Sequence, residues 1–228
     1  MIIYQAIPSR LYPVIIDSIL KNIYLESERF WSLFELKNNE NAFKKSSVLD
    51  ENFGPFGFFL PKNFIYLSNK SFVYGAFSLK HFNLKKEDFT FSIMSHPVDH
   101  IYELYARRES LIKYYSQEIQ NYEDNKSISI EKFIDDFLEK KEVTFNFKEN
   151  SCKMIDEAVF QYKEKSLNYI GKISNLKKVS EVLTEIFDTR INLTIKNIKY
   201  NSYSGIYYRK KDVEILLKDQ LNFYNSLE

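Results

Sequence analysis

An α/β fold built on a mainly parallel sheet is what the order of residues predicts, and three observations carry that expectation. Two short apolar runs, 1–7 and 89–94, each lead through a turn to a proline suited to the first position of a helix, Pro13 and Pro97. Further strand-like runs alternate along the chain with segments whose apolar residues recur at helical spacing. That alternation is the pattern of parallel strands joined by helical crossovers.

The run 1–7, bounded by Pro8, reads as a central strand. After a turn over 8–12, a helix is expected from Pro13 to Tyr24, with Ile15, Ile16, Ile19, Leu20 and Ile23 on one face. Residues 26–52 are polar and mixed, and their Asn/Glu/Lys stretch at 37–45 reads as a solvated loop or a frayed helix. A turn follows at 54–57. The surrounding Phe53, Phe56, Phe58 and Phe59 suit a packed loop or, alternatively, a sugar-stacking platform. Short strands are expected at 63–67 and 71–77.

The strand 89–94 is followed by a turn at Ser95 and His96 and a helix from 97 to about 120. Its buried stripe is Val98, Ile101, Leu104, Tyr105, Leu111, Ile112, Tyr115 and Ile119, and Arg107 and Arg108 read as a solvated face or as partners of Glu103 or Glu109. A polar linker spans 121–127. Ser129 is suited to cap a helix at 130–140, with Glu131 in its first turn. A helix is expected over 151–164, a strand over 166–171, a helix over 175–188 and an amphipathic helix over 210–226, opened by the solvated run Arg209-Lys210-Lys211. There is no internal repeat.

Composition narrows the function classes. A chain of 228 residues suits one large domain or one domain with an appendage, and is read as a single domain, 1–228. The net charge is +1, from 32 basic and 31 acidic residues, so no global field draws the chain to nucleic acid or an anionic membrane. Lysine supplies 26 of the basic residues and arginine six, a bias that reflects codon composition or else speaks against a dense bidentate phosphate grip. The lone Cys152 excludes a disulfide framework and a thiolate metal cage, and reads as a small apolar filler of a helix. No His/Cys/Asp/Glu group has metal-ligand spacing, and no nucleophile elbow is present. No apolar run approaches a membrane span and no basic leader precedes the first strand, so a cytoplasmic protein is expected.

The strand, turn and helix over 89–105 have the shape of an anion seat, because a helix start offers free N–H groups and a positive dipole end. Four landmarks, at 7–14, 95–105, 167–176 and 219–224, resemble in this order the motifs of the carbohydrate sulfotransferase family. Its phosphosulfate loop, of the form I-P-K-T-G-G-T-S, is matched by Ile7-Pro8-Ser9-Arg10-Leu11-Tyr12-Pro13-Val14. Its second donor motif, R-D/H-P-V-x-R-x-x-S-x-Y, is matched by Ser95-His96-Pro97-Val98-Asp99-His100-Ile101-Tyr102-Glu103-Leu104-Tyr105. A pattern like F-D-Y-V-G-x-x-E-N-L is similar to Leu167-Asn168-Tyr169-Ile170-Gly171-Lys172-Ile173-Ser174-Asn175-Leu176, and a closing D-x-x-x-Y resembles Asp219 with Phe223 and Tyr224.

The resemblance implies a three-layer α/β/α, P-loop NTPase-like fold, with 1–7 and 89–94 as neighbouring interior strands. It also implies transfer of a sulfuryl group from 3′-phosphoadenosine 5′-phosphosulfate to a saccharide hydroxyl. The donor-binding positions are then Ser9, Arg10, Ser95, His96 and Glu103, with Arg10 supporting the leaving phosphate and His81 or a carboxylate taking the acceptor proton. No metal or other cofactor is required.

The motifs are degenerate. Ser9 stands at the family's Lys, Leu11 and Tyr12 replace its glycines, and Ser95 and Glu103 stand at the Arg and Ser that hold the 3′-phosphate. A carboxylate ~4 Å from a phosphate costs on the order of 4 kcal/mol per charge pair at an effective dielectric near 20. A G-H-F element that carries a histidine in many relatives reads Gly75-Ala76-Phe77, and His81 lies beyond it, either as a redeployed base or as a surface or half-buried residue. His96 and His100, at the helix start, are suited to capping and local hydrogen bonds or to an anion. The expectation is a sulfotransferase-like protein with a decayed donor site. The alternatives are a non-catalytic binding module and a binder of another nucleotide or sugar.

Overall fold

The computed structural model describes residues 1–7, 63–66, 71–75, 79–115, 129–139, 147–193 and 205–227, with Ile15, Ser18, Ile19 and Asn22 as helical positions. The strands β1 (Ile2–Gln5), β2 (Asn63–Tyr66), β3 (Ser71–Gly75), β4 (Phe89–Met94) and β5 (Tyr169–Lys172) form one sheet in the order β2-β3-β1-β4-β5. β3, β1, β4 and β5 run parallel, and β2 is an antiparallel edge. Ile3 lies opposite Val73 on one side and Thr90 on the other, so 2–5 and 89–94 are neighbouring interior strands as the sequence implied.

Every residue from Ile2 to Ile7 is buried, which fits a parallel strand covered on both faces. Alternation divides the strand between two interiors. Ile2, Tyr4 and Ala6 join Phe72, Phe91 and Ile93 on one face, together with the helical Ile15 and Ile19. Ile3 and Ile7 join Met94 and Ile170 on the other. Six helices are named here: α1 (Pro97–Tyr115), α2 (Ile130–Leu138), α3 (Phe147–Lys163), α4 (Leu176–Phe187), α5 (Lys210–Leu216) and α6 (Lys218–Ser226). Leu176, Val179, Leu183 and Phe187 of α4 fill the first interior, while Ile155 and Ala158 of α3 and Phe223 and Tyr224 of α6 fill the second. Helical residues thus cover both faces of the sheet. A third interior joins α1, α2 and α5 through Val98, Ile101, Phe133, Phe137 and Val213.

Local chemistry sets the element ends. Pro97 is the first residue of α1. The Ser129 side chain accepts from the Lys132 backbone N–H to cap α2, and the Asn175 side chain accepts from that of Lys178 to cap α4. The strand expected at 166–171 begins later, because Ser166 and Leu167 are occupied in closing α3. The backbone N–H groups of Ser166 and Leu167 both donate to Gln161 O, at 2.6 and 3.1 Å, and that of Lys165 donates to Tyr162 O at 3.0 Å. Lys165 takes the left-handed conformation, φ 59°, in this Schellman closure. After α4, Ser180 and Thr184 receive the backbone N–H groups of Leu193 (2.8 Å) and Ile191 (3.0 Å), which anchors both apolar side chains in the first interior.

Two further expectations are corrected. The helix placed at 151–164 starts at Phe147. The helix placed at 210–226 is two helices that part at Leu217. Val213 and Leu217 enter the third interior, whereas Phe223 and Tyr224 enter the second. Leu217 leaves helical geometry, with φ −97° and ψ 19°, and the apolar spacing runs through the break without marking it. The aromatic loop at 53–59, the loop 26–52 and the linker 121–127 lie outside the described residues, as do Ile119 and the turn 8–12. Among the described residues no helix is long and apolar enough to cross a membrane.

Candidate functional site

The chain leaves β1 towards β2 and β3 and leaves β4 towards β5, so the carboxyl ends of β1 and β4 part in opposite directions. In open parallel sheets that divergence opens the crevice where ligands bind. Ser92 Oγ donates to Gln5 O at 2.8 Å and ties the two strands just below the opening. Gln5 is fully buried, and neither atom of its amide has a hydrogen-bond partner among the described residues.

Four polar side chains from separate elements converge at the carboxyl ends of β4 and β5. Lys172 ends β5 opposite Met94, on the face covered by α3 and α6. Its Nζ lies 5.2 Å from the centroid of the Tyr224 ring, within cation–π range. The His96 ring meets the same tyrosine edge-on, 5.4 Å between centroids and 78° between planes. Ser174 Oγ and Tyr224 Oη share a hydrogen bond of 3.2 Å. Among the described residues no carboxylate lies within ion-pair distance of Lys172, and His96 Nδ1 has no hydrogen-bond partner.

His100, in the first turn of α1, is 1 % exposed and neither ring nitrogen is hydrogen-bonded among the described residues. Burial pushes its pKa down from 6.5 to about 4, so the ring is neutral near pH 7. Local hydrogen bonding of His100 is therefore not what the structure shows. Asp99, the acidic residue of that turn, is engaged elsewhere: its Oδ1 accepts from the Tyr207 hydroxyl at 3.0 Å.

Of the residues expected from sequence, Ser95 is buried at the β4–α1 corner and His96 belongs to the cluster around Tyr224. Glu103 is 2 % exposed, so its carboxyl sits in the interior and not on a solvated helix face. Ser9 and Arg10 lie outside the described residues. His81 closes a 3-10 turn, Leu79–His81, of which the backbone is described at that residue. Lys172, Ser174, Tyr224 and Gln5 were not assigned chemistry from sequence. The signals were there: a glutamine inside an apolar strand, and a lysine directly after the strand glycine. Among the described residues no group of His, Cys, Asp and Glu is arranged to hold a metal ion.

Among the described residues the arrangement supplies a cation with no carboxylate in ion-pair distance, hydroxyl and imidazole donors, and the N–H groups of a helix start. It is equipped to hold an anion. No family model, curated protein or solved structure matches the chain.

Proposed function

We propose that the chain is a sulfotransferase-like binding module, directed to an anionic saccharide or related ligand, in which sulfuryl transfer from 3′-phosphoadenosine 5′-phosphosulfate has been lost. Kinship is supported by the parallel pairing of β1 with β4, the two strands that carry the donor motifs of the resembled family. Loss of transfer is carried by one observation, the burial of Glu103 on α1 at the position of the motif's phosphate-binding Ser.

Glu103 lies six residues into the helix, about 9 Å along the axis from its start. At that distance and an effective dielectric near 20, an ionised carboxylate opposes each unit of phosphate charge by about 2 kcal/mol. A penalty of that size lowers affinity by more than tenfold per charge. The motif's Arg, which holds the phosphate in the resembled family, is replaced by Ser95.

The test compares adenosine 3′,5′-bisphosphate with inorganic phosphate by thermal unfolding, and supplies labelled donor with mixed saccharide acceptors. The expected result is no stabilisation by the nucleotide beyond that of phosphate at equal concentration, and no sulfated product. A saturable excess for the nucleotide, or a product whose formation needs Arg10 and His81, overturns the reading.

A further inference from the structure

We infer that Lys172, His96 and the paired hydroxyls of Ser174 and Tyr224 form an oxyanion site at the tip of β5, suited to a sulfate or phosphate ester group. The inference deepens the binding reading above and rests on it for the anionic class of the ligand. Each component comes from a different element: β5, the β4–α1 corner, the 3-10 turn Ile173–Asn175 and α6. A single packing role does not require a cation, an imidazole and two hydroxyls to meet on one buried ring.

Electrostatics favours an anion here over a cation or a neutral group. Lys172 has no carboxylate to neutralise it among the described residues. The positive end of the nineteen-residue α1 starts at Pro97, directly after His96. His100, one helical turn on from His96, is buried, and neither ring nitrogen has a hydrogen-bond partner among the described residues. A neutral imidazole has one N–H to give and repels no anion. The opposing carboxyls on α1 are Asp99, whose Oδ1 accepts from the Tyr207 hydroxyl, and the buried Glu103 further along the helix; Lys172 and the helix dipole are the positive charges set against them.

Recognition would therefore combine one point charge with several neutral donors. That set suits an oxyanion of one or two charges and leaves out the adenine and ribose contacts of a nucleotide site. Sulfate and phosphate esters share this chemistry, and the two anions are separate arms of the test.

The full chain is titrated with sodium sulfate and, separately, sodium phosphate at constant ionic strength held with sodium chloride. Melting temperature is read together with the imidazole resonance of His96. Lys172→Gln removes the charge, Tyr224→Phe keeps the ring and removes the hydroxyl, and Lys178→Gln controls for an exposed lysine outside the cluster. The expected outcome is a saturable rise in melting temperature with a shift of the His96 resonance, weakened at least tenfold in Lys172→Gln and severalfold in Tyr224→Phe, and unchanged in Lys178→Gln. Saturation by one anion alone identifies which ester the site takes. A rise that never saturates and is equal in all four proteins is a general salt effect and overturns the site. Saturable binding indifferent to both Lys172→Gln and Tyr224→Phe overturns it equally. If Lys172→Gln does not fold, the Tyr224→Phe comparison decides. A nucleotide-specific excess in the bisphosphate experiment would sink the binding-module reading while leaving the Lys172 dependence of phosphate binding intact.

Discussion

Replacing Gly171 by alanine should loosen the seam between β5 and α4. An added Cβ would stand 2.5 Å from Val179 Cγ2, 3.1 Å from Tyr169 Oη and 3.2 Å from Tyr169 Cε1. Carbon atoms rest at ~3.5–4.0 Å, so the valine methyl is more than ~1 Å too close. Val179 is fully buried in the first interior, so relief requires a strained rotamer or a shift of α4 away from the strand. Such overpacking costs about 1–3 kcal/mol. Alanine recovers about 0.4–1 kcal/mol by restricting the unfolded chain. At the middle of each range the net loss should be about 1.3 kcal/mol, read from urea denaturation at an unchanged slope. Val179→Ala removes the obstructing methyl, so the double variant should be at least ~1 kcal/mol more stable than the two single losses predict. Wild-type stability for Gly171→Ala, or strict additivity in the cycle, would refute the close approach.

Two further substitutions test other parts of the frame. His100 has a folded pKa of about 4 against 6.5 for the free side chain, so the unfolded chain takes up the proton first. Its contribution is complete above pH 6.5 and is lost as pH falls towards 4, by about 3 kcal/mol in all. His100→Leu should therefore show a flatter fall in stability over that range, and parallel curves for variant and wild type would contradict the assignment. Lys165→Gly should raise stability by about 0.5–1 kcal/mol, measured by thermal unfolding, because glycine accepts the left-handed φ of 59° without the Cβ penalty. A destabilised variant would show that the lysine side chain itself supports the end of α3.

The frame was legible where local chemistry and burial agree. The strand at 89–94 is found at its expected bounds, and Pro97, Ser129 and Asn175 act at helix starts. Boundaries failed where a tertiary need overrode periodicity. Ser166 and Leu167 look like strand residues but close a helix, and Leu217 continues an apolar stripe through a break between two helices. The cluster around Tyr224 was the least visible. His96 and Tyr224 are far apart in sequence, and no spacing rule brings an edge-on ring contact into view. Gln5 and His100 illustrate the same limit: the residue type is plain, while the absence of a hydrogen-bond partner among the described residues is a property of the packed interior.

Leu217 is a rivet whose register matters more than its side chain. Upstream of it α5 is committed to the interior shared with α1 and α2, and downstream α6 carries Tyr224 to the tip of β5. Each residue of helix turns the azimuth by about 100°. Adding or removing a single residue at that joint would swing the phenol ring away from Lys172 and His96 while leaving both in place. The tip would be dismantled from a distance, by a change in phase alone.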